Sequence, residues 1–170
     1  MASTLETFTL DAFDLKILEA LQQEGRLTNQ ELAERVGLSA SQCSRRRSAL
    51  EEKGIVKGYR ADLAPEALGL GVTVFTHVTL ATHNPDNARR FAELVRRLEF
   101  ALEAHALTGD ADYLVKMIVP DLKTLSAVVN EQLLPHESVA NVRSAVVLET
   151  LKDEARLPLS WIKPTRHGER

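Results

Sequence analysis

The chain has 170 residues, 44% apolar and 26% charged, the proportions of a folded soluble protein rather than a disordered one. Its 21 basic and 24 acidic side chains leave a net charge of −3, which excludes a uniformly basic coat for nucleic acid. The single cysteine, Cys43, excludes an intramolecular disulfide and a zinc site made of cysteines alone.

The charge is unevenly placed. Residues 35 to 60 hold seven cations, Arg35, Arg45, Arg46, Arg47, Lys53, Lys57 and Arg60, against Glu51 and Glu52, a local net of +5. One basic patch on a mildly acidic chain is the footprint of a localised phosphate-binding surface. The start "MASTLETFTLDAFD" lacks a charged n-region and an apolar h-region, and no apolar run reaches membrane-spanning length. A cytoplasmic protein is expected.

In chain order, "DAFDLKILEALQQEG" places Leu15, Leu18 and Leu21, with Ile17, on one helical stripe that stops at Gly25. Thr28 and Glu31 have the spacing of a capping box, followed by Leu32, Ala33 and Val36 as the apolar side of a short helix. Gly37 makes a turn. A second box, Ser39 with Gln42, opens "LSASQCSRRRSALEEKG", which ends at Gly54. Two short capped helices around a "VGLS" turn, after a longer first helix, predict a three-helix helix-turn-helix unit. "IVKGYRADL" reads as a short extended exit from it, and Pro65, Gly69 and Gly71 mark a linker.

The second half changes character. "VTVFTHVTLA" is rich in β-branched residues and reads as a strand. Asn84 followed by Pro85 starts a helix that buries Phe91, Leu94, Val95 and Leu98. "FALEAHALT" and "DYLVKMIV" form a hairpin across "GDA", Pro120 ends it, "LKTLSAVVNEQLL" is amphipathic, and "NVRSAVVLETL" is the last strand. The order βαββαβ is that of the ferredoxin-like fold, with two helices on one sheet face. The other face calls for a second copy of the chain.

On the third helix, seven residues are almost two turns, so Cys43 and Leu50 share the buried direction. Ser41, Arg45 and Ser48 lie opposite, with Ser44 beside them. Small hydroxyls let a helix approach the DNA major groove, and an arginine can bond guanine or phosphate through two N–H groups. The plain alternative is a solvated charged face. The helix-turn-helix context favours DNA and makes Ser39, Ser41, Gln42, Ser44, Arg45, Arg46, Arg47 and Ser48 the candidate contacts, Arg45 foremost. Arg46 flanks the groove, where phosphate or a carboxylate of the second helix such as Glu34 would pair with it. Arg47 falls near Cys43 and Leu50 and is expected to run its stem outward. Cys43 is either a cation-activated redox thiol or a small buried apolar residue, and its alignment with Leu50 favours burial.

No Gly-rich phosphate loop, nucleophile elbow or HExxH pattern occurs. His77, His83, His105, His136 and His167 lack ligand spacing, so no metal and no cofactor is expected. His77 and His105 fall on different strands that could bring them side by side. "LTGDADYL" is the second stretch with chemical content: Thr108, Asp110 and Asp112 surround Gly109, which can take positive φ. The stretch is open to two readings, a plain hairpin turn or a place where carboxylates and free amides meet a zwitterion.

With these motifs in order, the sequence resembles the Lrp/AsnC (feast/famine) family of transcriptional regulators. The similarity lies in "LDAFDLKILEALQQEGRLTNQELAERVGLS", in "ALEEKGIVKGYRADLAPEALGLG", in "TGDADYLVKMIVPDL" and in "VRSAVVLETLKDEARLPL". It implies an α+β chain with a winged-type helix-turn-helix domain over 1–60, a hinge over 61–71, a ferredoxin-like effector and oligomerisation domain over 72–152, and a tail over 153–170. It implies dimers through the sheet, assembly to octamers, and an amino acid or related effector near Thr108, Gly109, Asp110 and Asp112. The family commonly has an apolar branched residue where this chain has Arg47. The expected function is sequence-specific transcriptional regulation on double-stranded DNA. Its rivals are an architectural protein of low sequence preference and an enzyme of similar two-domain plan, the haem-biosynthetic decarboxylases.

Overall fold

The computed structural model describes residues 9–165, in two units. The described part of the first comprises residues 9–62 and 153–165, and the second residues 63–152.

In the first unit, helix α1 (Ala12–Gln23) begins at Asp11, whose carboxylate accepts from the Phe13 and Asp14 N–H groups while Asp14 returns a bond to the Asp11 N–H. This third capping box has carboxylates at both positions. Helix α2 (Asn29–Val36) opens on the Thr28–Glu31 box and closes on Gly37, at φ +80, where a side chain would be strained. Helix α3 (Ala40–Glu52) opens on the Ser39–Gln42 box. Ile17, Leu18 and Leu21 of α1, Leu32 and Val36 of α2, and Cys43 and Leu50 of α3 form one buried core. Each large aliphatic side chain removed from water there contributes about 1.5–3 kcal/mol.

One stretch differs from expectation. "IVKGYRADL" forms no strand: the Ile55 and Val56 N–H groups both donate to the Leu50 carbonyl, at 3.0 and 3.1 Å, folding the chain back over the end of α3. Residues 153–165 run over α1. The Leu157 N–H donates to Gln22 Oε1 at 2.7 Å, the Thr165 N–H to the Leu10 carbonyl at 2.8 Å, and Leu159 packs on the core.

The second unit holds β1 (Val72–Leu80), α4 (Pro85–Arg97), β2 (Ala101–Ala106), β3 (Tyr113–Val119), α5 (Leu122–Ala127) and β4 (Val139–Val146). All pairings are antiparallel, in the order β2-β3-β1-β4. That is the ferredoxin-like arrangement. Helix α4 starts at the Asn84 cap with Pro85 in its first turn, as the sequence predicts. The helix expected over "LKTLSAVVNEQLL" is α-helical only to Ala127 and then widens into a π-helical stretch, Val128–Leu133.

Alternation in the strands sorts the sheet's two faces. Val74, Thr76, Val78, Val115, Met117 and Val119 point to the helices and are buried with Phe91, Leu98, Leu125 and Leu133. Phe75, His77, Leu114, Lys116 and Ile118 line the opposite face, against which neither α4 nor α5 of this unit packs. His77 and His105 both pair with Leu114, which stands between them. His167 lies outside the described residues.

Candidate functional site

The third helix is oriented by what it buries. Cys43 is fully buried and Leu50 nearly so, while Ser41, Arg45 and Ser48 are exposed and Ser44 is half-buried. Burial pushes the Cys43 thiol above its ordinary pKa, against the lowering influence of the Arg46 charge. A thiol held neutral is the reverse of an activated one. Ser39 and Gln42 are committed to the cap: Gln42 Oε1 accepts from the Ser39 N–H and hydroxyl, both at 3.0 Å, and the Gln42 N–H donates to Ser39 Oγ. Ser41 Oγ shares a hydrogen bond with Ser39 Oγ.

The three arginines divide. Arg46 reaches back to the start of α1, where Nη1 is 2.8 Å from Asp11 Oδ2 and 2.6 Å from Asp14 Oδ1. The partner expected among the α2 carboxylates is therefore on α1. Burial lowers the Arg46 pKa, the two carboxylates raise it more, and the guanidinium ends above its ordinary range. Burial likewise works to raise Asp11, but the Asp14 N–H and Arg46 outweigh it and hold the carboxyl below its usual range.

Arg47 does not run out to solvent. Its Nη1 donates to the Leu27 carbonyl at 2.8 Å, and its Nε to Tyr59 Oη at 2.9 Å and Glu51 Oε1 at 3.1 Å. Among the described residues the Arg45 side chain makes no hydrogen bond or ion pair, and neither do the hydroxyls of Ser44 and Ser48.

The basic patch shrinks accordingly. Arg35 pairs with Glu24, Arg46 with α1 and Arg47 with Glu51. Arg45, Lys53, Lys57 and Arg60 are left without a carboxylate partner among the described residues. Lys53, Lys57 and Arg60 were legible only as net charge, because none lies on the stripe that singled out Arg45.

The turn between β2 and β3 makes the second site. Thr108, Asp110 and Ala111 close over the uncovered sheet face and, with His77 and Thr79 of β1 and Asn141 and Arg143 of β4, enclose a cleft of about 350 Å3. The β1–β4 register sets His77 against Arg143 and Thr79 against Asn141, so four polar side chains converge from adjacent strands. Sequence reasoning missed these four; alternation along β1 was the available signal. Gly109, at φ +115, supplies the bend.

Asp112 does not line the cleft. Its Oδ2 accepts from the Leu80 N–H at 2.7 Å, where the β1–β4 register shifts, and its Oδ1 sits 3.0 Å from His83 Nε2. The candidate effector set thus splits into Thr108 and Asp110 at the cleft, Gly109 shaping the turn, and Asp112 fastening the end of β1.

Residues 73–157 match the family model of the Lrp/AsnC ligand binding domain, and residues 10–57 that of a winged helix-turn-helix DNA-binding domain. The chain belongs to the Lrp/AsnC family. It is 40% identical over 148 residues to the leucine-responsive regulatory protein of Escherichia coli K12, covering 87% of this chain and 90% of that one. Among solved structures it is similar to a Neisseria meningitidis transcriptional regulator in complex with L-Met, with 43% identity and a TM-score of 0.86. That match covers 89% of this chain and 98% of the other. An Agrobacterium tumefaciens AsnC-family regulator has 33% identity and a TM-score of 0.84, covering 91% of this chain and all of the other. As a member of the Lrp/AsnC family the chain is a DNA-binding transcriptional regulator, and the ferredoxin-like unit is its ligand-binding domain.

Proposed function

We propose that the chain represses or activates transcription from specific DNA sites in response to an amino acid, acting by binding and not by catalysis, in the cytoplasm. The observation that carries this reading is the outward stripe of α3. Arg45, with no side-chain partner among the described residues, shares the outward side of α3 with the small hydroxyls of Ser44 and Ser48, on the second helix of a capped helix-turn-helix. Arg45 reads a base edge and Ser44 and Ser48 admit the groove wall. Ser41, with the amides at the capped start of α3, meets phosphate, and so do Lys53, Lys57 and Arg60. Ser39 and Gln42 serve by forming the cap. Arg46 and Arg47 hold the helix rather than read the sequence.

The effector reading rests on the cleft. Arg143 and Asp110 offer opposite charges to a ligand's carboxylate and ammonium, and Thr108, Thr79, Asn141 and His77 supply further polar groups. The leucine-responsive name and the L-Met complex among its relatives point the same way. The uncovered sheet face joins two copies into a dimer, which assembles further toward an octamer, so that paired α3 helices read two half-sites.

Selection from random-sequence duplex DNA, followed by gel-shift titration with each of the twenty amino acids, tests this. A selected duplex should bind about a thousandfold more tightly than random DNA, with at least one amino acid changing the affinity. Equal affinity for both duplexes would indicate the architectural alternative, and indifference to every amino acid would remove the effector assignment.

A further inference from the structure

Arg47 stands near the helical direction of Cys43 and Leu50, yet it keeps its charge in place through a built set of contacts. Its guanidinium carbon lies 4.6 Å from the centre of the Tyr59 ring, close enough for a cation–π interaction. Its Nε donates to Tyr59 Oη, and Tyr59 Oη donates to Glu51 Oε1 at 2.7 Å, closing a triangle of Arg47, Glu51 and Tyr59. Nη1 is spent on the Leu27 carbonyl. The Tyr59 ring also lies against the turn after α1: a Cβ placed on Gly25 would come within 3.2 Å of Tyr59 Cδ1.

Three segments therefore meet at this guanidinium: α3 through Arg47 and Glu51, the α1–α2 connection through Leu27 and Gly25, and the stretch that leads out of the first unit at Asp62 through Tyr59. An apolar side chain would fill the space but leave the Leu27 carbonyl and the Tyr59–Glu51 pair without a cation. The fork of an arginine satisfies all three at once.

We propose that Arg47 is a positioning residue: through Tyr59 it locks the DNA-facing helix to the start of the interdomain connector, so that the connector's placement sets how α3 is presented to DNA. The proposal rests on the DNA-reading role of α3. It predicts that Arg47 and Tyr59 act as one unit on DNA affinity while adding no phosphate contact of their own.

The test uses full-length Arg47→Leu, Tyr59→Leu, the double variant and Tyr59→Phe, the last keeping the ring and losing the hydroxyl. Each is titrated against the selected duplex and against random duplex over a salt series, with the folded fraction followed by thermal denaturation. Arg47→Leu and Tyr59→Leu should each weaken binding by about three- to tenfold, and the double variant no more than the worse of the two. The slope of affinity against salt should match wild type. A slope reduced by about one would make Arg47 a direct phosphate contact and overturn the proposal. Additive losses overturn it too, as does wild-type affinity in a folded Arg47→Leu. Should that variant not fold, Tyr59→Phe decides: a loss of affinity supports the lock and an unchanged affinity overturns it. If wild type fails to distinguish selected from random duplex, the sequence-specific reading falls while the lock is scored on random duplex; if it binds neither, both fall.

Discussion

Arg45, Arg46 and Arg47 are consecutive, and the helix sends each in a different direction because it turns about 100° per residue. Arg46 bridges the two carboxylates that cap α1, Arg47 gathers three acceptors around the end of the domain, and Arg45 is left facing out. Charge composition treats the three as equals; geometry does not. Arg45→Ala should weaken binding to the selected duplex by about 1–3 kcal/mol and relax preference at one base position, with no change in melting temperature. Gel-shift titration against duplexes varied at single positions measures both effects, and an unaltered affinity would take Arg45 out of the groove. Arg46→Ala differs in kind, because it strips Asp11 and Asp14 of their shared cation and strikes folding first.

At the scale of elements, what was legible was local. The Thr28 and Ser39 boxes, Asn84 before Pro85 and the β-branched run of β1 are signals carried within a few residues, and each element starts where they place it. What was not legible depended on distant partners. Arg46 and Asp14 are 32 residues apart, and nothing near Arg46 distinguishes Asp14 from Glu34. "IVKGY" has the composition of a strand but finds no neighbouring strand, and its amides turn back to Leu50 instead. The cleft needed the β1–β4 register, which brings Arg143 beside His77, 66 positions away along the chain. Asp112 shows the same limit, since a carboxylate in a Gly-Asp turn looks like a ligand group until its acceptor role toward Leu80 is seen. That role can be measured. Asp112→Ala leaves the Leu80 N–H, a part-buried donor, without its partner, and should destabilise the second unit by about 1–3 kcal/mol in urea unfolding. Asp112→Asn, which retains an acceptor oxygen, should recover most of the loss. Equal stability of the alanine variant and wild type would show that water replaces the carboxylate.

For the molecule as a whole, the uncovered sheet face is the feature that a single copy leaves unresolved. Phe75 is 36% exposed there, beside half-buried Leu114 and Ile118, while the opposite face holds nearly all of the unit's buried side chains. Four strands at about 4.8 Å spacing and about seven residues in length present roughly 450 Å2 in projection. A stable dimer removes about 800 Å2 from each partner, so in the proposed dimer the flat face would supply the centre of the interface and its flanks the rest. Leu102, exposed on the edge strand, and Leu148 and Leu151, nearly bare after β4, are apolar side chains placed to do so. The charges fit the same arrangement: Lys116 is already paired with Glu103 at 3.1 Å and would be buried with its counterion rather than alone. Phe75→Lys sets a second cation directly across from Lys116 in the β1–β3 register, without touching the helix-covered core. Sedimentation should then move from a dimer or larger species to monomer, while circular dichroism stays that of the folded chain. Binding to the selected duplex should fall further than binding to random duplex, because only paired helices can span two half-sites. If the variant sediments as wild type does, the sheet face is not the interface, and the copies must meet through the exposed leucines beyond β4 instead.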